Sequence, residues 1–360
     1  MEDLIAAVAK SERKTEKAAL ASLVWSSGSI PMSGRAKMLV CYDGRVMGTI
    51  GGGCLEAEIL TSGRQVMDTG IPNLTRYTMT EKQAGESGLN CGGTVRIFTE
   101  LVEIRGHFSP YEEVRKARQE RRECILATLL CEGKAGGAKL LVFSDGSHLG
   151  TLGSEEADSQ IVQHLETVLE KESGIVLELQ GDAGKEVFIE SFLPPPVLYI
   201  FGGGHVGAQI CKLAKNVGFE VVVVDDRPMF ANADRHPEAD AFVVEEMDRA
   251  FETLNIDGQS YIVAATRGHQ HDEIVVEQAI CTDAAYIGML GSERKKMLMW
   301  KRIRARGGAR ERLDGIYAPI GLNIGADTPE EIAVSVVAEL IKVRRGTRKM
   351  WKTKMVEMAA

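Results

Sequence analysis

Three stretches of this 360-residue chain combine residue types that can do chemistry. The first is Gly51-Gly52-Gly53-Cys54-Leu55-Glu56, a thiol placed after three glycines and before a helical pattern. A thiolate is a soft ligand for thiophilic metals and a sulfur relay, and a helix N-terminus favours the thiolate form. Glu56 in the first helical turn would complement the helix dipole. The second stretch is Glu86-Ser87-Gly88-Leu89-Asn90-Cys91-Gly92-Gly93, another cysteine in a glycine turn. If the two turns converge they flank one pocket. If they do not, each cysteine is a small buried thiol.

The third stretch is Gly202-Gly203-Gly204-His205-Val206-Gly207. Gly202, Gly204 and Gly207 have the GxGxxG spacing of a dinucleotide fingerprint. The motif gains specificity from its context. Val197-Leu198-Tyr199-Ile200-Phe201 precedes it as a short apolar strand. A helix pattern follows through Leu213 and ends near Gly218. Val221 to Val224 then form a second strand that ends at Asp225, 18 positions after Gly207. Glycines allow a tight turn and close backbone approach, and the helix start offers free N–H groups to a phosphate. Asp225 is placed to accept hydrogen bonds from ribose hydroxyls. His205 occupies a variable position of the motif, facing either solvent or a phosphate.

Further on, Tyr261-Ile262-Val263-Ala264-Ala265-Thr266 runs into Arg267-Gly268-His269-Gln270-His271-Asp272. Residues at a strand's C-terminal end line the ligand crevice of doubly wound sheets. Arg267 and His269 are candidates for phosphate or substrate contacts, and Asp272 for a helix N-cap. A metal site from His269, His271 and Asp272 is the alternative. Ala285 to Leu290 leads in the same way into Gly291-Ser292-Glu293-Arg294-Lys295-Lys296, an anion-friendly helix start. On the fingerprint alone, the function would be an NAD(P)-dependent oxidoreductase.

The elements that must position these residues fall into two parts. Leu193-Pro194-Pro195-Pro196 reads as a stiff linker at 193–196. Residues 197–346 alternate strand and helix patterns, as in a Rossmann-type parallel sheet. Thr328-Pro329-Glu330-Glu331 opens the last helix as a capping box with proline at its first position. Residues 347–360 form a basic tail expected to be frayed.

Residues 1–192 contain an internal repeat. Ala36-Lys37-Met38-Leu39-Val40, Asp43-Gly44 and Gly48-Thr49-Ile50-Gly51 recur 102 positions later as Ala138-Lys139-Leu140-Leu141-Val142, Asp145-Gly146 and Gly150-Thr151-Leu152-Gly153. Each copy, about 18–100 and 122–192, reads as strand, strand, Asp-Gly hairpin, strand, helix and late strand. The fold class is therefore α/β, a C-terminal Rossmann-type domain plus an N-terminal duplicated α+β domain, with the duplicated strands expected in one layer. The second copy has Gly153-Ser154-Glu155-Glu156 where the first has its glycine run and cysteine. It also lacks counterparts to Gly28-Ser29-Ile30-Pro31 and to the Cys91 turn. Shared features serve the fold, and features of one copy are candidates for function.

Composition agrees with a globular protein. Apolar residues are 44% and charged residues 26% of the chain, ordinary values for a globular protein. No window is apolar enough to span a membrane, and the acidic start Met1-Glu2-Asp3 does not look like a signal peptide. The net charge of -8 argues against general nucleic-acid binding. Seven scattered cysteines with no CxxC pair predict neither a disulfide framework nor a zinc ribbon. They point to a reduced cytoplasmic protein in which most cysteines are buried.

Taken together and in order, these motifs, with Asp225-Asp226-Arg227-Pro228, Tyr286-Ile287-Gly288-Met289-Leu290-Gly291-Ser292 and Pro319-Ile320-Gly321-Leu322-Asn323-Ile324-Gly325, resemble the XdhC/CoxI family of xanthine dehydrogenase accessory factors. The resemblance covers nearly the whole chain. It departs from the family at Gly28-Ser29-Ile30-Pro31, where many relatives have a second serine and an arginine after the proline. The resemblance implies a maturation factor and not itself the hydroxylase. Such a factor binds the molybdenum cofactor (molybdopterin), holds it while a cysteine desulfurase supplies its sulfido ligand, and delivers it to a molybdenum hydroxylase of the xanthine dehydrogenase type. It implies Cys54 as a molybdenum ligand. The cofactor-binding candidates are Gly51, Gly52, Gly53, Cys54, Cys91, Gly202, Gly204, His205, Gly207, Asp225, Arg267 and His269, with NAD(P) or another nucleotide as a further ligand. A homodimer is the expected assembly.

Overall fold

A computed structural model describes residues 4–9, 17–30, 32–78, 93–102, 109–131, 133, 135–169, 174–181, 184–307 and 310–358. The chain divides into two compact units, Met1–Pro194 and Pro195–Ala360. Among the described residues no helix is long and apolar enough to cross a membrane.

The N-terminal unit opens with a short helix at 4–9. Its first copy then runs β1 (Ala18–Ser27), β2 (Lys37–Cys41), β3 (Val46–Thr49), α1 (Cys54–Thr69), β4 (Asn73–Thr78) and β5 (Thr94–Leu101). After α2 (Pro110–Gln119), the second copy runs β6 (Cys124–Leu130), β7 (Lys139–Phe143), β8 (His148–Gly150), α3 (Glu155–Gln163), α4 (Leu165–Leu169), β9 (Ile175–Glu178) and β10 (Glu186–Phe192). Each copy forms its own antiparallel sheet, with orders β3-β2-β1-β5-β4 and β8-β7-β6-β10-β9. The identical order makes the duplication visible in three dimensions. Asp-Gly chemistry sets both hairpins. Asp43 Oδ1 accepts from the Arg45 amide at 3.0 Å and Asp145 Oδ1 from the Ser147 amide at 2.9 Å, with Gly44 and Gly146 at φ 87° and 83°.

The two copies stack as two sheets and do not share one layer, as the repeat alone had suggested. Leu20, Leu39, Leu126 and Leu141 meet in one core. Ala19, Ala21, Met38 and Val40 pack with Ile59 and Val66 of α1. Ile125, Ala127, Leu140 and Val142 pack with Ile161 of α3. Strands β1, β2, β6 and β7 are thus buried on both faces, which is why their sequences are continuous apolar runs and do not alternate. Strands β4 and β9 and helix α2 were not expected from sequence. The first two are short edge strands.

Two charged pairs cross the interface between the sheets. Lys37 Nζ donates to Glu190 at 2.8 Å and to Ser22 at 2.9 Å. Its counterpart Lys139 donates to Glu100 at 2.7 Å and to Thr128 at 2.9 Å. The two pairs are reciprocal, each lysine reaching the glutamate of the other copy. Arg96 of β5 and Glu186 of β10 form a third, partly exposed bridge. Their hydrogen-bonded pairing holds the Glu186 carboxyl below its ordinary value.

The C-terminal unit is a single parallel sheet. Its strands are β11 (Val197–Phe201), β12 (Glu220–Asp225), β13 (Ala241–Val244), β14 (Ser260–Ala264) and β15 (Tyr286–Met289), in the order β13-β12-β11-β14-β15. The helices are α5 (His205–Asn216), α6 (Ala250–Thr253), α7 (His269–Ala279), α8 (Glu293–Ala305), α9 (Arg310–Asp314) and α10 (Pro329–Met358). Helices α5 and α10 cover one face through Ile210, Ala214, Ala333, Val336 and Leu340. Helices α7 and α8 cover the other through Val275, Val276, Met299, Trp300 and Ile303. The strand order reverses between β11 and β14, the switch point at which such sheets bind ligands.

The capping box at the start of α10 is formed. The Glu331 amide donates to Thr328 Oγ1 at 3.3 Å and the Thr328 amide to Glu331 Oε2 at 3.2 Å. These amide donors, with that of Asp327, hold the Glu331 carboxyl below its ordinary value. The helix continues through Met358, so most of the basic tail is helical and not frayed.

Candidate functional site

The turn from β3 into α1 is built on three successive glycines in the left-handed region, Gly51, Gly52 and Gly53, with φ of 102°, 79° and 67°. An L residue in that region costs about 1–2 kcal/mol. Glu56 staples the turn from inside the helix. Its Oε1 accepts from Thr49 Oγ1 at 2.5 Å and from the Gly52 amide at 3.2 Å, and the Gly51 amide donates to Thr49 Oγ1 at 3.2 Å. Glu56 therefore does more than complement the helix dipole. Cys54 is the first residue of α1 and is exposed. Gly53 caps the helix with no side-chain hydrogen bond.

The second copy shows the alternative. Leu152 N–H donates to Asp158 at 2.8 Å and Gly153 N–H to Thr151 Oγ1 at 3.0 Å; the second repeats the Thr49 staple 102 positions later, and the first uses an acid at the position of Glu56 to hold a turn amide two residues earlier than Gly52. There, however, Ser154 caps the helix by accepting from the Ala157 amide at 3.2 Å. The same scaffold is closed by its own side chain in one copy. In the other it is left open, with a thiol at the opening.

The elements peculiar to the first copy meet at this end of its sheet. A Cβ on Gly51 would lie 2.7 Å from Met32 Cε. A Cβ on Gly93 would lie 2.7 Å from Ile30 Cγ2 and 2.7 Å from the Ser29 carbonyl. The segment after Gly28 is thus packed against both glycine turns. Cys91 and Pro31 lie outside the described residues, as does most of the Cys91 turn. Among the described cysteines, Cys124 and Cys211 are buried, and burial pushes each thiol up to about 12. Cys41 and Cys131 are half-buried. Cys281 is exposed and donates to the Glu277 carbonyl, so burial does not account for it as expected.

In the C-terminal unit the glycines divide by role. A Cβ on Gly202 would sit 2.2 Å from the Ala265 carbonyl oxygen, and one on Gly207 would sit 2.0 Å from that of Gly202. These two glycines are demanded by packing. A Cβ on Gly204 would meet nothing within 4 Å, although the backbone there is ordinary, at φ -70°. Gly204 therefore faces open space at the start of α5, where close approach of a ligand needs no side chain. His205 is the first residue of α5 and is exposed.

Asp225 is only 1% exposed and is engaged by its own chain. Its carboxylate accepts from the Gly203 amide at 2.9 Å, from the Arg227 amide at 3.1 Å, and from Arg227 Nε and Nη2 at 2.9 and 3.1 Å. Burial pushes the carboxyl up, but the Arg227 guanidinium and these amides hold it below its ordinary value. The Arg227 guanidinium lies 3.7 Å from the centre of the Phe230 ring. Arg235 Nε donates to the Gly203 carbonyl at 2.8 Å. Asp225 thus pins the glycine turn in place, and its oxygens are not turned out toward a ribose. Arg227 and Arg235 were missed as organisers of the turn. The adjacent carboxylate at Asp225 was the only sequence signal for the first of them.

Across the switch point, Arg267 Nη2 donates to Asp226 at 2.6 Å. His269 begins α7, with Gly268 as its cap. Asp272 is 1% exposed and accepts from the Thr266 amide at 3.0 Å, from Thr266 Oγ1 at 2.7 Å and from Lys295. It is neither the helix cap nor free to bind a metal. Among the described residues, no group of three or more His, Cys, Asp or Glu is placed to hold an ion.

Similarity to known proteins follows the same two-unit division. A family model described as the XdhC Rossmann domain matches residues 198–340, and the XdhC and CoxI family model matches residues 12–78 and 117–179. The chain is 29% identical over 336 residues to a Bacillus subtilis protein named as a probable subunit of xanthine dehydrogenase, covering 92% of this chain and 94% of that one. It is 23% identical over 335 residues to the Escherichia coli molybdenum cofactor insertion chaperone PaoD, covering 91% and 83%. An uncharacterized Escherichia coli protein, YqeB, is 25% identical over 93% of this chain, which spans only 45% of that protein. The fold matches a solved Bacillus halodurans structure described as a xanthine dehydrogenase, with a TM-score of 0.80 at 24% identity over 96% of this chain and 95% of that one. Two family matches that between them span both units, and a relative matched along nearly its full length, place this chain in the XdhC and CoxI family.

Proposed function

We propose that this chain is a maturation factor that carries the molybdenum cofactor as cargo, supports its sulfuration and inserts it into a molybdenum hydroxylase of the xanthine dehydrogenase type. The carrying observation is the contrast between the two copies. The glycine run and the exposed thiol stand only in the first, at a helix start that the second closes with Ser154. Family membership supports the reading, as does a relative named for molybdenum cofactor insertion.

In this reading Cys54 offers a soft thiolate to the molybdenum. Gly51, Gly52 and Gly53 keep side chains away from it, and Glu56 holds their conformation. The Cys91 turn is proposed as a second contributor. The C-terminal unit is read by itself as a phosphate or nucleotide site, in which Gly204, His205 and the amides that begin α5 receive the group, with Gly202 and Gly207 shaping the turn. Arg267 and His269 stand at the switch point as further phosphate contacts. A cysteine desulfurase supplies the sulfur, and the working assembly is a homodimer in the cytoplasm. Asp225, spent on Gly203 and Arg227, speaks against the ribose contact that an NAD(P)-dependent oxidoreductase would use.

The test is purification from cells that make the cofactor, with assay of bound molybdenum and pterin, alongside Cys54→Ala. Wild type is expected to carry both, and the variant to lose most of the molybdenum. A wild type carrying neither, or a variant that loads equally, overturns the assignment. Titration with NAD(H) is expected to show no hydride transfer.

A further inference from the structure

The C-terminal unit has a cleft that shares only His269 with the cargo reading. It lies between α7 and α8 and has a volume of about 200 Å³. His269 and Glu273 of α7 line one side. Ser292, Arg294, Lys295 and Arg302 line the other, with Leu298 and Met299 as an apolar wall.

The charges in this cleft do not cancel. Lys295 is bound to the buried Asp272 and donates to the Leu290 carbonyl at 2.9 Å, so it is fixed in the floor. Glu273 is satisfied twice, by Arg302 at 3.1 Å and by Arg306 at 2.6 Å. Arg294 has no hydrogen-bond or ion-pair partner among the described residues. With Lys295 paired to Asp272 and Arg302 to Glu273, the uncommitted Arg294 guanidinium leaves the cleft with an excess positive charge, which attracts an anion. Guanidinium groups favour phosphate through paired N–H donors. The wall adds a second requirement. Leu298 is 50% exposed although it lies beside Met299, which is 2% exposed, so an apolar surface is left open next to the cations. At about 30 Å³ per water, the volume holds roughly six or seven waters, enough for a phosphate and a small ring but not for a dinucleotide.

We propose that this cleft binds a small organic phosphate monoester, with the phosphate on Arg294 and Arg302 and a planar or apolar body on Leu298. Arg294, Arg302 and Leu298 belong to this site and not to the cargo reading, which shares only His269 with it, so loss of phosphate monoester binding in Arg294→Met is distinguishable from loss of molybdenum and pterin loading in Cys54→Ala.

The test is calorimetric titration of the full chain with phenyl phosphate, inorganic phosphate and phenol. Phenyl phosphate is expected to bind more tightly than either of the others. Arg294→Met should weaken it about tenfold or more, as loss of a charge-assisted bond implies. Lys301→Met removes an equal charge from an exposed position of α8 outside the cleft, and should leave binding unchanged. Leu298→Asn should abolish the preference over inorganic phosphate. Absence of phenyl phosphate binding, equal weakening by Arg294→Met and Lys301→Met, or an unchanged preference in Leu298→Asn would each overturn the proposal.

Discussion

Replacing Lys139 by methionine should destabilise the N-terminal unit by about 3–5 kcal/mol, the usual cost of breaking a buried ion pair from one side. Lys139 Nζ lies 2.7 Å from Glu100, and the two side chains are 8% and 6% exposed. At that separation, with an effective dielectric of about 20, the attraction is about 6 kcal/mol. Desolvation offsets most of it, at several kcal/mol per ion. Burial pushes the Lys139 ammonium below its ordinary value despite the pull of Glu100, so desolvation wins. The intact pair is therefore close to neutral, whereas Glu100 left alone is not. Lys139→Met with Glu100→Leu should recover most of the loss, because neither charge remains to be desolvated. Native-state hydrogen exchange read on β1 and β6 peptides reports this unit separately from the other. A loss of about 3 kcal/mol appears there as roughly 150-fold faster exchange. Lys37 and Glu190 form the reciprocal pair at 2.8 Å and supply an internal replicate of the same size. An acceleration below about fivefold, under about 1 kcal/mol, or a double variant no better than the single, would refute the reasoning.

Three further outcomes can be checked by thermal unfolding. Gly204→Ala should change stability by less than about 0.5 kcal/mol, since its Cβ meets nothing. Gly203→Ala should cost well above 2 kcal/mol, since its Cβ would fall 1.9 Å from the Phe230 carbonyl oxygen. Equal effects would refute the division of the glycines by role. Asp225 has a folded value below its ordinary 3.8, so its contribution is present above about pH 3.8 and is lost as pH falls through the lower folded value. The stability difference between wild type and Asp225→Asn should therefore shrink on acidification below that point, and a difference that grows would be the wrong sign. Glu56→Ala and Asp158→Ala should each cost about 1 kcal/mol, because each of these equivalent acids is the acceptor for an amide of its own turn. A large effect at only one of them would show that the two staples are not equivalent.

Much of the fold was legible because it depends on local rules. The Gly202 fingerprint with its flanking apolar strands specifies a βαβ unit, and the unit is there. The Asp-Gly hairpins and the Thr328 cap rest on contacts within four residues. What stayed hidden depends on long-range pairing. Whether two copies share a sheet or stack as two cannot be read from period or turn type, since both arrangements bury the same runs. The lysines at 37 and 139 were visible as a repeat, but their partners Glu190 and Glu100 lie in the opposite copy. In the C-terminal unit, an acidic residue after the second strand reads as a ribose acceptor by spacing alone. Only the position of Arg227 and the Gly203 amide shows that its lone pairs are already taken.

The duplication allows a comparison that a single sequence rarely offers. Both copies keep the threonine, the glycine and the back-bonding acid at this turn, so both have the same local scaffold. A serine cap on that scaffold is worth a few tenths of a kcal/mol over a glycine cap. The second copy has it. The first has Gly52 at that position and Gly53 as its cap, both held with Gly51 at positive φ, and gains no side-chain bond from the cap in return. Stability alone would favour Ser154's solution in both copies. The first copy departs from it at a helix start that carries an exposed cysteine, and Met32 is packed against that same turn. A cost taken at one of two equivalent positions, and only where a thiol stands in the opening, is the pattern expected of a site kept clear for a ligand.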